Sequence, residues 1–191
     1  ISVVGASPKS RNAYFRSKGV AEELILGSGL GARILRTPIL FGPQAAGSQA
    51  VVGMVSSGQA KLLGGGYYQM RPLDIDDLSE ALTILCSTTV EDQITYELVG
   101  PESASYRDII EMTAKIMGKA ISFGTIPILL AKFGAAISSI LKGGGITPTV
   151  IDVITQDEVV KTNADGEIGI TLTPLKQTLE NMTNLGDGYD R

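Results

Sequence analysis

Apolar positions recur along this chain at two periods. Ile1 to Ala6 (ISVVGA) is a β-branched run ending in a glycine-containing turn, the pattern of a strand buried on both faces. Ala13 to Leu26 places Ala13, Val20, Ala21, Leu24 and Ile25 at helical spacing, with Glu22 and Glu23 on another face, and Gly27-Ser28-Gly29 stops it. Arg33 to Phe41 (RILRTPILF) is a second apolar strand, closed by Gly42-Pro43. Strand, helix, strand in this order makes one βαβ unit of a parallel sheet.

Downstream, the pattern predicts a helix over Ser48 to Ser57, a strand over Lys61 to Leu63, and a turn at Gly64-Gly65-Gly66. Met70 to Ile75 reads as extended, and Asp76 or Asp77 caps a helix over Leu78 to Cys86. A strand over Ile94 to Val99 is closed by Gly100-Pro101, a helix runs from Ser105 to Met117 and stops at Gly118, and Ile121 to Thr125 is extended. Pro127 to Leu141, Val150 to Lys161 and Leu175 to Met182 are helical pieces separated by glycine or proline. Helices alternate with strands throughout, so the class is α/β, and no internal repeat occurs. The apolar stretch Ile126 to Leu141 is interrupted by Lys132 and falls short of the roughly 20 residues that span a bilayer. It is a helix packed on the domain, or else an apolar lid or docking surface. A buried strand at Ile1 needs neighbours on both sides, so the sequence reads as the later part of a longer polypeptide, with that strand covered by residues or a chain outside it.

Composition narrows the chemistry. The chain has 191 residues, 43% hydrophobic and 19% charged, enough for a sizeable core and unlike a disordered tail. Sixteen Lys plus Arg against twenty Asp plus Glu give a net charge of -4, the wrong sign for binding nucleic acid. One cysteine (Cys86) and no histidine exclude an internal disulfide, a zinc site of the Cys/His kind and any imidazole proton shuttle. No metal site is expected, and Cys86, at the end of an apolar helix, reads as an inert core thiol. Acid/base work falls to Tyr, Lys, Ser or carboxylates. Nothing in the cysteine usage or the opening residues points to secretion, which makes the expected location cytoplasmic.

Tyr14-Phe15-Arg16-Ser17-Lys18 supplies such a group. A Tyr-x-x-x-Lys spacing on a helix puts phenol and ammonium on one face a turn apart, where the cation favours the tyrosinate. Such a tyrosine can pass a proton to or from a substrate hydroxyl or carbonyl while a hydride moves elsewhere. The alternative is a pair of solvated helix residues.

The neighbours of the pair give it weight. The helix follows an apolar strand and precedes one ending Leu35-Arg36-Thr37-Pro38-Ile39-Leu40-Phe41-Gly42-Pro43; further on come Arg71-Pro72-Leu73-Asp74-Ile75-Asp76-Asp77-Leu78-Ser79-Glu80-Ala81 and Tyr96-Glu97-Leu98-Val99-Gly100-Pro101-Glu102 followed by Ser105 to Ile110. This order resembles the short-chain dehydrogenase/reductase superfamily, in its extended and atypical branches that include NAD-dependent epimerases and dehydratases. The short Ile1-to-Tyr14 stretch and Asp157-Glu158-Val159-Val160 look most like the atypical branch, which holds the accessory nucleotide-binding subunit of respiratory complex I.

The resemblance implies the C-terminal half of a Rossmann-type doubly wound parallel sheet over residues 1–60, and a smaller substrate-side α/β region over 61–191, interleaved with it. It implies Tyr14 as acid/base, Lys18 as its activator and ribose partner, and Ser2 or its neighbour Val3 at the catalytic serine position. Thr37, Pro38, Ile39 and Leu40 would lie beside the nicotinamide of NAD or NADP, and Arg71 would meet the diphosphate of a nucleotide-linked substrate. The implied activity is that of an epimerase, dehydratase or reductase; the alternative is a non-catalytic NAD(P)-binding accessory or sensor protein, as in complex I. The partner is a small molecule, and a homo-oligomer or larger assembly is left open. Three departures stand out. No G-x-G-x-x-G occurs, proline follows Arg36 at one remove, and Val3 is a candidate for the position where the family carries a hydroxyl.

Overall fold

The computed structural model describes residues 1–87, 94–142 and 147–183. In chain order its elements are β1 (Ser2–Val3), α1 (Ala13–Leu26), β2 (Arg33–Thr37), β3 (Leu40–Phe41), α2 (Ala46–Ser57), β4 (Gln59–Leu63), β5 (Gln69–Met70) and β6 (Leu73–Asp74). There follow α3 (Ile75–Ser87), β7 (Ile94–Glu97), β8 (Ala104–Ser105), α4 (Tyr106–Ile116), β9 (Ser122–Ile126), α5 (Ile128–Lys142), α6 (Pro148–Ile154), α7 (Asp165–Ile168) and α8 (Leu175–Thr183).

β2 is the middle strand of a parallel sheet in the order β1-β2-β7. Register fixes which side chains share a face, because laterally paired residues of a parallel sheet point the same way. Ser2, Arg36 and Glu97 are partners across the sheet and look toward α1. Val3 pairs with Thr37, and Leu35 with Tyr96, on the other face. Leu35 and Tyr96 there join Leu73, Leu78, Ala81, Leu98, Ala164 and Ile168 in one core. A second core, of Phe41, Val51, Val55, Ile109, Ile110, Leu179 and Met182, lies where α2, α4 and α8 close on the parallel pair β4-β9.

Several elements depart from the sequence pattern. The first strand is two residues long rather than six, because Gly5 turns the chain at φ 83°, where a β-carbon would also stand 3.4 Å from the Phe15 ring. The second apolar run breaks at Pro38, whose missing N–H interrupts the ladder; β3 then pairs in parallel with β6 instead of extending the main sheet. α3 starts at Ile75, earlier than expected, and its cap is Asp74, whose carboxylate accepts the Asp76 N–H; neither Asp76 nor Asp77 caps it. Asp77 instead accepts both the N–H and the hydroxyl of Thr173. The helix expected over Val150 to Lys161 ends at Ile154. Cys86 is an exposed thiol rather than a core one, since the buried face of α3 runs through Leu78 and Ala81 and Cys86 lies off that stripe.

The largest departure is in α1. Its buried face is Phe15, Gly19 and Glu22, while Val20, Leu24 and Ile25 face outward. A β-carbon on Gly19 would strike the Ser7–Pro8 backbone, so only glycine lets the helix come this close. Glu22 is drawn inward by Arg36, which donates to it from Nε at 3.0 Å and Nη2 at 2.6 Å, and to Glu97 from Nη1 at 3.1 Å. Burial pushes the Glu22 carboxyl up, but the Arg36 hydrogen bonds, the nearby Ser2 hydroxyl and the Arg36 charge outweigh it and hold it below the ordinary value of 4.5. A charged triad thus pins α1 to β2 and β7. α5 packs on α6, with Lys132 paired to Asp152, and leaves Leu129, Leu130 and Phe133 exposed. No helix among the described residues is long and apolar enough to cross a membrane.

Candidate active site

A cavity of about 400 Å³ opens at the C-terminal ends of β1 and β2, where ligands of parallel-sheet proteins characteristically sit. One wall is the turn Val3-Val4-Gly5 with Tyr14 and Phe15; another is Thr37-Pro38-Ile39, just past β2, with Met70 beside it. The third comes from Val153 and Ile154 of α6 and the extended strap Gln156–Val159.

Tyr14 reaches this cavity because Asn12 caps α1, its side-chain oxygen accepting the Tyr14 N–H at 2.9 Å. The same asparagine donates to the Thr149 carbonyl at 3.1 Å and so ties the start of α1 to α6. Tyr14 is partly exposed, its ring 5.7 Å from that of Phe15, and Lys18 Nζ stands 5.8 Å from the Tyr14 ring centroid. The expected phenol and ammonium are therefore neighbours, although Lys18 does not itself line the cavity.

The other expected residues divide. Thr37, Pro38 and Ile39 are in the wall, whereas Leu40 turns into β3 and packs against the first core. Register puts Ser2 on the α1 face, buried beside Glu22 and outside the cavity lining, and leaves Val3 on the cavity side. Arg71 is also outside the lining: Nε donates to the Gly100 carbonyl at 3.0 Å and Nη2 to that of Pro101 at 3.3 Å.

The strap is a functional element that hydrophobic periodicity does not reveal. It docks through two carboxylates and one backbone bond: the Asp157 carboxylate accepts the Gln69 N–H at 2.7 Å, the Glu158 N–H donates to the Gln69 carbonyl, and the Glu158 carboxylate accepts the Arg71 N–H at 2.8 Å. Burial raises the Glu158 carboxyl, against the opposing pull of the Arg71 and Ile39 N–H groups and the Arg71 charge. The advance signals are the pair of adjacent acids between apolar Val153-Ile154 and Val159-Val160, and the resemblance of Asp157-Glu158-Val159-Val160 to the atypical branch. Among the described residues no group of His, Cys, Asp and Glu side chains could hold a metal ion.

No protein-family model and no curated protein matches the sequence. Solved structures do. A Citrobacter sp. triphenylmethane reductase complexed with NADP(H) superposes with a TM-score of 0.68 at 18% identity, over 95% of this chain and 63% of that one. A nucleoside-diphosphate-sugar epimerase from Staphylococcus aureus gives 0.69 at 12% identity, over 93% and 62%. A UDP-glucuronic acid 4-epimerase from Bacillus cereus in complex with NAD gives 0.63 at 17%, over 94% and 56%. The chain thus spans about three fifths of the length of these proteins. At such identities the likeness speaks for fold, and what it establishes is that this chain is an α/β protein built as part of a Rossmann-type fold.

Proposed function

We propose that this chain carries the acid/base part of an NAD(P)-dependent oxidoreductase of the epimerase, dehydratase or reductase type. The observation that carries the reading is the convergence of Tyr14 and the Thr37-Pro38-Ile39 segment on one cavity at the parallel strand ends. The structural likeness to NAD- and NADP(H)-bound proteins supports it. The residues present suit the nicotinamide end of the cofactor: Thr37, Pro38 and Ile39 would flank the ring, with Leu40 behind them, and Lys18 would reach the ribose. The G-x-G-x-x-G that would hold the pyrophosphate does not occur in these 191 residues.

The cofactor, when bound, takes or gives a hydride. Tyr14 transfers the matching proton at its phenolic oxygen, to or from a hydroxyl or carbonyl of a small-molecule substrate. Lys18 places a positive charge beside the ring that undergoes this change. Val4, Ile39 and Met70 exclude water from the reacting face.

The test is turnover in the whole protein, followed by the absorbance of reduced nicotinamide. Tyr14→Phe should abolish it while cofactor affinity stays near wild type, because only the proton-carrying oxygen is lost. Lys18→Met should lower both affinity and rate. Full activity in Tyr14→Phe refutes the acid/base role, and wild-type affinity in Lys18→Met refutes the ribose contact.

A second reading rests on Val3. A valine at the strand end, with the Ser2 hydroxyl turned to Glu22, leaves no donor from β1 to hold a substrate oxygen. A non-catalytic NAD(P)-binding accessory or sensor protein, of the kind found in respiratory complex I, accounts for that. Cofactor binding without turnover in the whole protein would select it.

A further inference from the structure

We infer that the ligand this cavity takes beside the cofactor is an apolar molecule, neutral or cationic and free of phosphate, and that Glu158 is the residue that refuses anions. The inference rests on the proposed function only in reserving the Thr37–Ile39 wall for the nicotinamide. Three features of the cavity support it.

The first is its lining. Val3, Val4, Met70, Val153, Ile154 and Val159 give mostly apolar walls, and no lysine or arginine contributes to them. A diphosphate brought here would give up water with no cation to replace it. The second is the position of Arg71, the cation that the family resemblance would bring to a diphosphate. Arg71 has its guanidinium engaged by the Gly100 and Pro101 carbonyls and hydrogen-bonds the strap through its backbone N–H alone, its charge acting on Glu158 only from beyond ion-pair distance. The third is the sign of the charge present. Asp157 and Glu158 are the charged residues of the lining, and among the described residues neither makes a salt bridge. Asp157 is exposed and accepts the Gln69 N–H, whereas Glu158 is part-buried and accepts the Arg71 N–H, so of the two charges that of Glu158 is the less screened by water. Burial disfavours its charge, and a cationic or hydrogen-bond-donating ligand end relieves that cost whereas an anion adds to it.

The 191-residue chain lends itself to a direct test, because it contains no tryptophan. Val159 lines the cavity yet is 77% exposed, so Val159→Trp introduces a single fluorophore at the site with little disturbance of packing. Titration of that variant with tetraphenylphosphonium and tetraphenylborate, two apolar ions of nearly the same shape and opposite charge, reads the preference. UDP-glucose serves as the phosphate-bearing probe. The phosphonium should quench the indole with a dissociation constant at least about tenfold below that of the borate, and UDP-glucose should not displace it. Adding Glu158→Gln should collapse the preference severalfold, while adding Glu180→Gln, a remote acid on α8 paired with Lys176, should leave it in place.

Equal or tighter binding of the borate, displacement by UDP-glucose, or no binding of either ion overturns the inference. So does a preference that survives Glu158→Gln. Should Glu158→Gln fail to fold, the comparison of the two ions in the Val159→Trp protein decides by itself. No cofactor and no turnover enter these titrations, so their failure leaves the Tyr14 proposal standing, and an inactive Tyr14 leaves the ion preference standing.

Discussion

On β1 a single position separates a buried hydroxyl from a cavity wall. Ser2 and Val3 are adjacent, and strand pleating sends them to opposite faces, the first to the Glu22–Arg36–Glu97 triad and the second to the cavity. Ser2→Ala should therefore lower stability slightly and leave turnover unchanged, whereas loss of turnover would show that its hydroxyl reaches the substrate. The triad itself yields a sharper expectation. Arg36→Met strands the nearly buried Glu22 carboxylate and should cost about 3 kcal/mol, the scale for removing one partner of a buried pair. In the wild type Glu22 is held below 4.5, so its contribution is present above that value and lost as pH falls through the lowered one. In Arg36→Met burial, the largest influence, is opposed only by the Ser2 hydroxyl, so the folded-state value should rise above 4.5 and the contribution be lost as pH rises instead. Thermal midpoints of both proteins between about pH 3 and 6 should slope in opposite directions; parallel slopes would show that Arg36 does not hold Glu22.

Periodicity located most elements but misread the face of α1. It recorded where Val20, Leu24 and Ile25 fall, yet the packed face follows from two facts invisible to hydropathy: a glycine that permits contact and a glutamate that finds an arginine fourteen residues away. Gly19→Ala makes the first testable. Its methyl meets Ser7–Pro8 backbone, which cannot rotate aside as a side chain would, so α1 must shift. The expected loss is about 1–3 kcal/mol, with reduced turnover because Tyr14 rides on the same helix; an unchanged melting midpoint would contradict the contact. The Tyr14–Lys18 pair was legible because i, i+4 geometry is local. The strap was not, since Gln156–Val159 is defined by hydrogen bonds to Gln69 and Arg71 almost ninety positions earlier. Long-range bonds from carboxylates to a distant backbone leave no local period to read. The break at Thr37-Pro38 lies between these cases: the proline was visible, but that β3 would leave the sheet to pair with β6 depends on what Leu73 and Asp74 offer across the gap.

At the scale of the whole molecule, β4 pairs with β9 and β2 with β7, so each of the two cores draws on segments far apart in sequence. The cavity forms where the tail returns across the ends of the first sheet: Ala164 N–H bonds to Glu97, Asn163 bridges both backbone groups of Val99, and Glu102 accepts the Leu175 N–H at the start of α8. On the function proposed above, what the described residues offer a dinucleotide is its nicotinamide end. In Rossmann-type proteins the pyrophosphate rests on a glycine-rich turn at a helix N-terminus, where backbone N–H groups and the helix dipole meet its charge. The sequence has no G-x-G-x-x-G, and at the start of α1 the Tyr14 and Phe15 N–H groups are occupied by Asn12. An apolar wall can hold a nicotinamide ring but cannot replace those charge-assisted bonds. The 191-residue chain by itself should therefore bind NAD(H) and NADP(H) weakly, with dissociation constants of about 1 mM or above. Isothermal titration of the purified chain measures this directly, and micromolar affinity would mean that the described residues cradle the pyrophosphate by a route other than the glycine-rich turn.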